Sequence, residues 1–210
     1  MLNIVVLVSG GGTNLQALIN AQENGELYGG RIAHVIASNP AAYALERAAA
    51  NGIPASVVNR KEYADADVFT EALLKELERV NADVIVNAGF LCILGGALIR
   101  RYPNRILNVH PSLIPAFCGV GYYGLRVHEA VLASGVKLTG ATVHFVTEEV
   151  DGGPILLQQG VEVRRGDTPE LLQRRVMEQA EWKLLPRAVS LVCEGNVDFA
   201  DGKAYVRGQA

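Results

Sequence analysis

Short aliphatic runs recur along the first half of the chain, and a stretch with helical spacing follows almost every one. The runs at 3–8, 31–37, 53–58, 82–86 and 106–109 are dense in Ile, Val and Leu. Strands that are apolar on successive positions are buried on both faces, which is the signature of a parallel sheet covered by helices. Thr13-Asn14-Leu15-Gln16 fits a capping box for a helix ending near Gly25. Asn39-Pro40 reads as N-cap and first turn of an Ala-rich helix closed by Gly52, and Asp65 or Asp67 starts a helix that runs to about Val80. The rhythm changes after His110. A glycine-containing loop leads to a short helix near 125–134, and runs at 138–146 and 155–163 follow with only "TEEVDGGP" between them. Two strands with no intervening helix predict an antiparallel extension. A long helix is expected from about Thr168, and Asp201-Gly202 marks a final hairpin. The pattern predicts one α/β domain over residues 1–210, with a doubly wound, mostly parallel sheet and a mixed antiparallel edge.

Composition narrows the function classes. The chain has 210 residues, half of them hydrophobic, and a net charge of −3. No basic surface advertises nucleic acid, and no apolar run is long enough to predict a membrane span. Cys92, Cys118 and Cys193 are odd in number and form no C-x-x-C pair, which argues against a disulfide framework or a thiolate metal site. Nothing ahead of the first strand reads as a leader, so a reduced cytoplasmic protein is expected.

Candidate chemistry gathers at strand ends, where open α/β sheets place their ligands. "SGGGTN" at 9–14 joins the first strand to the first helix. It lacks the Lys of a Walker loop, and Leu15 stands where a dinucleotide fingerprint needs its third glycine. Two readings remain open for it, a single-phosphate site using Gly12, Thr13 and Asn14, or a plain capped turn. In "RILNVHPSLIP", Asn108 and His110 lie two residues apart and therefore share one face of their strand. Asp151, in the turn "EEVDGGP", is a third polar candidate. Each has a bland alternative, a capped strand end or an ordinary turn, but an amide, an imidazole and a carboxylate together are what acyl-type transfer uses. His144 reads as a core or supporting histidine and His128 as surface or lid. No histidine pair has ligand spacing, so no metal is expected. No G-x-S-x-G elbow or activated thiol is present to serve as nucleophile.

"VVLVSGGGTNLQALI", "NAGFLCIL", "LNVHPSLIP" and "TGATVHFVTEEVDGGPILLQ" together resemble the folate-dependent phosphoribosylglycinamide formyltransferases, over nearly the whole chain. The resemblance implies Asn108, His110 and Asp151 as catalytic residues. It implies Gly12, Thr13 and Asn14 at the ribonucleotide phosphate. It implies Leu91, Cys92, Ile93 and Leu94 around the folate beside Asn108, with Arg60 as a further folate contact. Glu181, five residues before Pro186, matches a family Glu that meets the ribonucleotide, with one extra residue just ahead of it. Residues of about 1–110 then form the phosphate-binding half, and about 111–210 complete the folate half. Cys92 stands where the family often has Arg, and "CGVGYYGLRVHEA" is longer than in many members. The implied co-substrate is 10-formyltetrahydrofolate, the acceptor is glycinamide ribonucleotide, and the assembly is a monomer or homodimer.

The implied step is attack of the ribonucleotide amine on the formyl carbon, through a tetrahedral oxyanion. An aliphatic α-amino group titrates near ~8, so part of it is already neutral at pH 7. Charge stabilisation then matters more than a strong base. The expectation is that Asp151 holds His110 as imidazolium beside the oxyanion and that Asn108 donates a hydrogen bond to it. Two other readings stand beside transfer. One is hydrolysis of 10-formyltetrahydrofolate, which the phosphate loop disfavours and which is expected to need a regulatory module before Met1. The other is a non-catalytic folate or nucleotide binder.

Overall fold

The computed structural model describes residues 1–208. Five strands run parallel: β1 (Leu2–Val8), β2 (Gly30–Ala37), β3 (Ala55–Val57), β4 (Val84–Asn87) and β5 (Ile106–His110). Two more, β6 (Leu138–Phe145) and β7 (Ile155–Glu162), extend the sheet antiparallel. The order is β3-β2-β1-β4-β5-β6-β7. The chain winds outward from β1 to β3 and then returns to β4 on the other side of β1. That reversal makes the β1/β4 junction a topological switch point, and the crevice above it is where such sheets bind ligands.

The helices are α1 (Thr13–Glu23), α2 (Ala44–Ala50), α3 (Ala66–Arg79), α4 (Gly96–Arg101), α5 (Leu125–Ser134), α6 (Pro169–Val176) and α7 (Trp182–Cys193). Alternation along β1 splits the core in two. Ile4, Val6 and Val8 pack with Leu15, Leu18, Val131, Leu172 and Val189, beneath α1, α5, α6 and α7. Val5 and Leu7 pack with Phe69, Leu73, Leu77 and Leu98, beneath α3 and α4. A hairpin of β8 (Val197–Ala200) and β9 (Lys203–Val206) forms a separate two-stranded sheet around the Asp201-Gly202 turn.

Several local expectations are corrected. The capping box does not form. Gly12 is the N-cap, in the left-handed region at φ 70, and Thr13 is already helical, its hydroxyl facing the Met177 sulfur at 3.6 Å. Asn39-Pro40 does not start α2. The Asn39 side chain instead accepts the N–H of Ala41 in a local turn, and the helix begins at Ala44. Local Asn side chains compete with helix in this way. The strand expected at 53–58 shrinks to three residues at the sheet edge, and Asp65, rather than Asp67, caps α3 through the N–H groups of Asp67 and Val68. Helix α4, which no periodic pattern announced, has one fully buried side chain, Leu98. The long C-terminal helix starts at the Thr168 cap as expected but is broken by a π turn over Met177–Glu181.

Candidate active site

Strand register places the chemistry. In the sheet, Asn108 is the partner of Asn87 on β4 and of His144 on β6, while His110 is opposite Thr142. The parity argument thus holds for Asn108 and His110, and pairing adds His144 beside them. The turn from β6 to β7 brings in Asp151, held in the left-handed region at φ 56. Its carboxylate sits between two imidazoles: His110 Nδ1 lies 3.5 Å from Oδ2, and His144 Nε2 lies 3.5 Å from Oδ1. The backbone N–H of Gly119 donates to Asp151 Oδ2 at 2.9 Å. Asn108 Nδ2 lies 3.1 Å from His144 Nε2, so the four side chains form one connected polar cluster.

Opposing effects set its charges. Burial disfavours ionised Asp151, but the hydrogen bonds from His144 and the Gly119 N–H, with both imidazoles nearby, outweigh it and hold the carboxyl below its usual range. Asp151 is therefore a carboxylate at neutral pH. For His110 the balance runs the other way. Burial pushes it below the usual imidazole range, against the Phe117 carbonyl and Asp151, which both favour the proton. That direction favours the neutral ring over the imidazolium expected from the sequence. His110 Nε2 lies 2.9 Å from the Phe117 carbonyl, which only an N–H satisfies, and this assigns the tautomer. Nδ1 is left as the free basic nitrogen facing the carboxylate.

The cluster lines a cleft of about 520 Å³. Its other walls are Phe90, Leu91, Cys92, Ile93 and Leu94 after β4, and the loop from Gly119 to Gly124. Leu91 is 65% exposed and Ile93 62%, an unusual solvent exposure for large apolar side chains. Apolar walls around a few converging polar groups are what a flat heteroaromatic ligand fits. Asn87, absent from the sequence candidates, lines the same cleft and leaves its buried Oδ1 without a partner.

The remaining sequence candidates lie around this cleft rather than in it. Gly12 is required where it stands, because a Cβ there would come within 2.6 Å of the Ala44 Cβ. Gly10 and Gly11 face open space. Thr13 borders a second groove, about 700 Å³, that runs along α1 and α7 and holds none of Asn108, His110 or Asp151. Asn14 donates to Glu181 Oε2 at 2.7 Å, and complete burial pushes the Glu181 carboxyl up to about 7. Arg60 stacks over Phe69 at 5.7 Å and donates to the Tyr63 carbonyl, and it is not among the cleft-lining residues. His128 corrects another expectation. It is fully buried in α5, neither ring nitrogen has a partner, and burial with the nearby His110 pushes it down to about 4. His144, read from the sequence only as a core or supporting histidine, joins the cluster through the antiparallel register of β6 on β5.

Among the described residues no group of three or more His, Cys, Asp or Glu is arranged to hold a metal ion, and no helix is long and apolar enough to cross a membrane. The family described as formyl transferase matches residues 2–189. The phosphoribosylglycinamide formyltransferase of Escherichia coli is 36% identical over 99% of this chain and 95% of its own length. The trifunctional purine biosynthetic protein adenosine-3 of Bos taurus is 44% identical over 94% of this chain, which spans only 19% of that longer protein. In three dimensions, glycinamide ribonucleotide transformylase 1 from Symbiobacterium toebii superposes with a TM-score of 0.92 at 40% identity, covering 99% of this chain and 94% of that one. The chain belongs to the formyl transferase family.

Proposed function

We propose that this protein transfers the formyl group of 10-formyltetrahydrofolate to the amine of glycinamide ribonucleotide, a step of purine biosynthesis. The observation that carries the reading is the convergence of His110 and His144 on Asp151, with Asn108 against His144, at the rim of a cleft walled by Leu91, Ile93 and Leu94. The apolar wall receives the pterin and places the formyl carbon beside Asn108. The amine attacks that carbon, and Asn108 donates to the oxygen as it gains charge. Losing one such donor costs about 10²–10³ in rate. The neutral His110, backed by the Asp151 carboxylate, takes up the proton that the amine sheds. The bond from carbon to the folate nitrogen then breaks as that nitrogen takes the proton from His110, which returns to its neutral form. Gly12, Thr13 and Asn14 at the start of α1 receive the phosphate, where unpaired helix N–H groups favour an anion.

The test is to follow loss of 10-formyltetrahydrofolate with and without glycinamide ribonucleotide. Consumption that requires the amine and yields the formylated ribonucleotide supports transfer. Consumption indifferent to the amine replaces this reading with hydrolysis, and saturable binding with no turnover replaces it with a binding module.

A further inference from the structure

Two serines outside the catalytic cluster join the loops that follow β1 and β2 to the segment after β4, across the switch point. Ser9 follows β1 and opens the glycine loop, and Ser38 follows β2. Their hydroxyls lie 2.7 Å apart. Ser9 Oγ also accepts the backbone N–H of Leu91 at 2.9 Å, and the Ser9 N–H donates to the Gly89 carbonyl at 3.1 Å. Ser38 closes the other side. Its N–H donates to the Val8 carbonyl and its carbonyl accepts the N–H of Arg60. Leu91 is therefore anchored to a hydroxyl of the pair and Arg60 to the backbone of Ser38, although the two come from different loops.

Phe90 and Leu94 pin the ends of the 89–94 segment to the core, but Leu91 and Ile93 between them lack such packing. The segment forms no helix or strand, its Leu91 and Ile93 side chains are exposed, and Gly89 is in the left-handed region at φ 73. Apolar side chains that project into a cleft do not position themselves, so the backbone beneath them has to be held by hydrogen bonds. The Leu91 N–H finds its acceptor in a side chain of the phosphate loop rather than in its own strand.

We propose that the Ser9–Ser38 hydroxyl pair is a positioning element that sets the folate wall of the cleft against the phosphate loop. Neither serine touches the reacting atoms, and their effect passes through the backbone N–H of Leu91, which Ser9 holds directly and Ser38 through Ser9. The proposal rests on the formyl-transfer reading of the cleft.

The experiment compares Ser9→Ala, Ser9→Thr and Ser38→Ala with the unaltered protein. Steady-state kinetics give kcat and the KM of each substrate, and calorimetric titration with tetrahydrofolate gives a Kd independent of turnover. One net hydrogen bond contributes on the order of 1 kcal/mol, which is several-fold in affinity. Ser9→Ala should raise the folate KM and the tetrahydrofolate Kd about five- to tenfold, with kcat within about twofold. Ser9→Thr keeps the hydroxyl and should restore both. Ser38→Ala leaves Leu91 its acceptor, so its effect should be smaller, about threefold, in the same direction. A folate Kd within twofold of the unaltered protein for both alanine variants overturns the proposal, as does a fall in kcat with folate KM and Kd unmoved. If Ser9→Ala does not fold, Ser38→Ala decides on the same criterion. Absence of turnover in the unaltered protein counts against formyl transfer, while the titration still tests the hydroxyl pair.

Discussion

His144 Nε2 lies 3.5 Å from Asp151 Oδ1, on the opposite side of the carboxylate from His110. Asp151 thus answers to two imidazoles, and His144 also reaches Asn108 at 3.1 Å. One buried ring orders two of the side chains assigned to the reaction. His144→Phe keeps an aromatic of similar shape and removes both contacts. Partners that orient an acting group are typically worth 10- to 100-fold, and a loss of about that size in kcat is expected. The pH profile gives a second readout. The His144 hydrogen bond helps hold Asp151 below the usual carboxyl range. Without it the Asp151 pKa rises, so the acid limb of the rate profile should move to higher pH. A variant with normal kcat and an unmoved acid limb would remove His144 from the site.

Gly12 makes a different demand. Its φ of 70 is easy only for glycine, and an added Cβ would sit 2.6 Å from the Ala44 Cβ. Gly12→Ala therefore combines left-handed strain with a clash against buried α2. A loss of about 1–3 kcal/mol is expected, read from denaturant unfolding. The ribonucleotide KM should rise with it, because the N–H groups that follow Gly12 shift. Unchanged stability together with an unchanged ribonucleotide KM would contradict the loop geometry.

The legibility of these features in the sequence follows their range. Strand parity put Asn108 and His110 on one face because that relation is internal to five residues of β5. His144 needed the pairing of β6 with β5, separated by 27 residues of loop and helix from His110 to Leu138, and no local period encodes that register. His128 was misread because its neighbours Arg126 and Glu129 look solvated, whereas the face it shares with Val127 and Val131 is buried. The failed capping box has a similar origin. Thr13 has the right chemistry for an N-cap, but Gly12 adopts the left-handed turn that lets Ala44 approach, and the helix starts one residue earlier than the capping box implies.

His128 gives the fold an acid-side weakness. Its pKa falls from 6.5 to about 4 on folding, through burial and the nearby His110. Between those values the unfolded chain binds a proton that the native protein refuses. Stability is therefore full above about 6.5 and is lost as pH falls toward 4. At roughly 1.4 kcal/mol per unit, the loss is on the order of 3 kcal/mol. His128→Leu removes the titration and two unpartnered ring nitrogens. Urea midpoints between pH 4 and 7 should then lose this acid-side fall, and the pH 7 midpoint should rise. An unaltered acid slope in the variant would show that His128 does not titrate in this way.

Glu181 acts in the opposite sense over an overlapping range. Complete burial lifts its carboxyl from 4.5 to about 7, with Asn14 supplying the one hydrogen bond that opposes the shift. Between these values the native protein holds a proton that the unfolded chain releases. Its contribution is present in full below about 4.5 and is lost as pH rises through about 7, again on the order of 3 kcal/mol. From about 4.5 to 6.5 the two slopes oppose each other, so the unaltered protein should show a shallow dependence that hides both. Glu181→Gln keeps the shape and a polar partner for Asn14 while abolishing the titration. In that variant stability should rise with pH more steeply than in the unaltered protein, because His128 is no longer opposed. In His128→Leu the slope should shift the other way, because Glu181 is no longer opposed. The double variant should keep only the acid-side fall of His34 and His110, which burial also holds below the usual imidazole range. Slope changes of the same sign in both single variants would refute the assignment of opposing protons to these two buried groups.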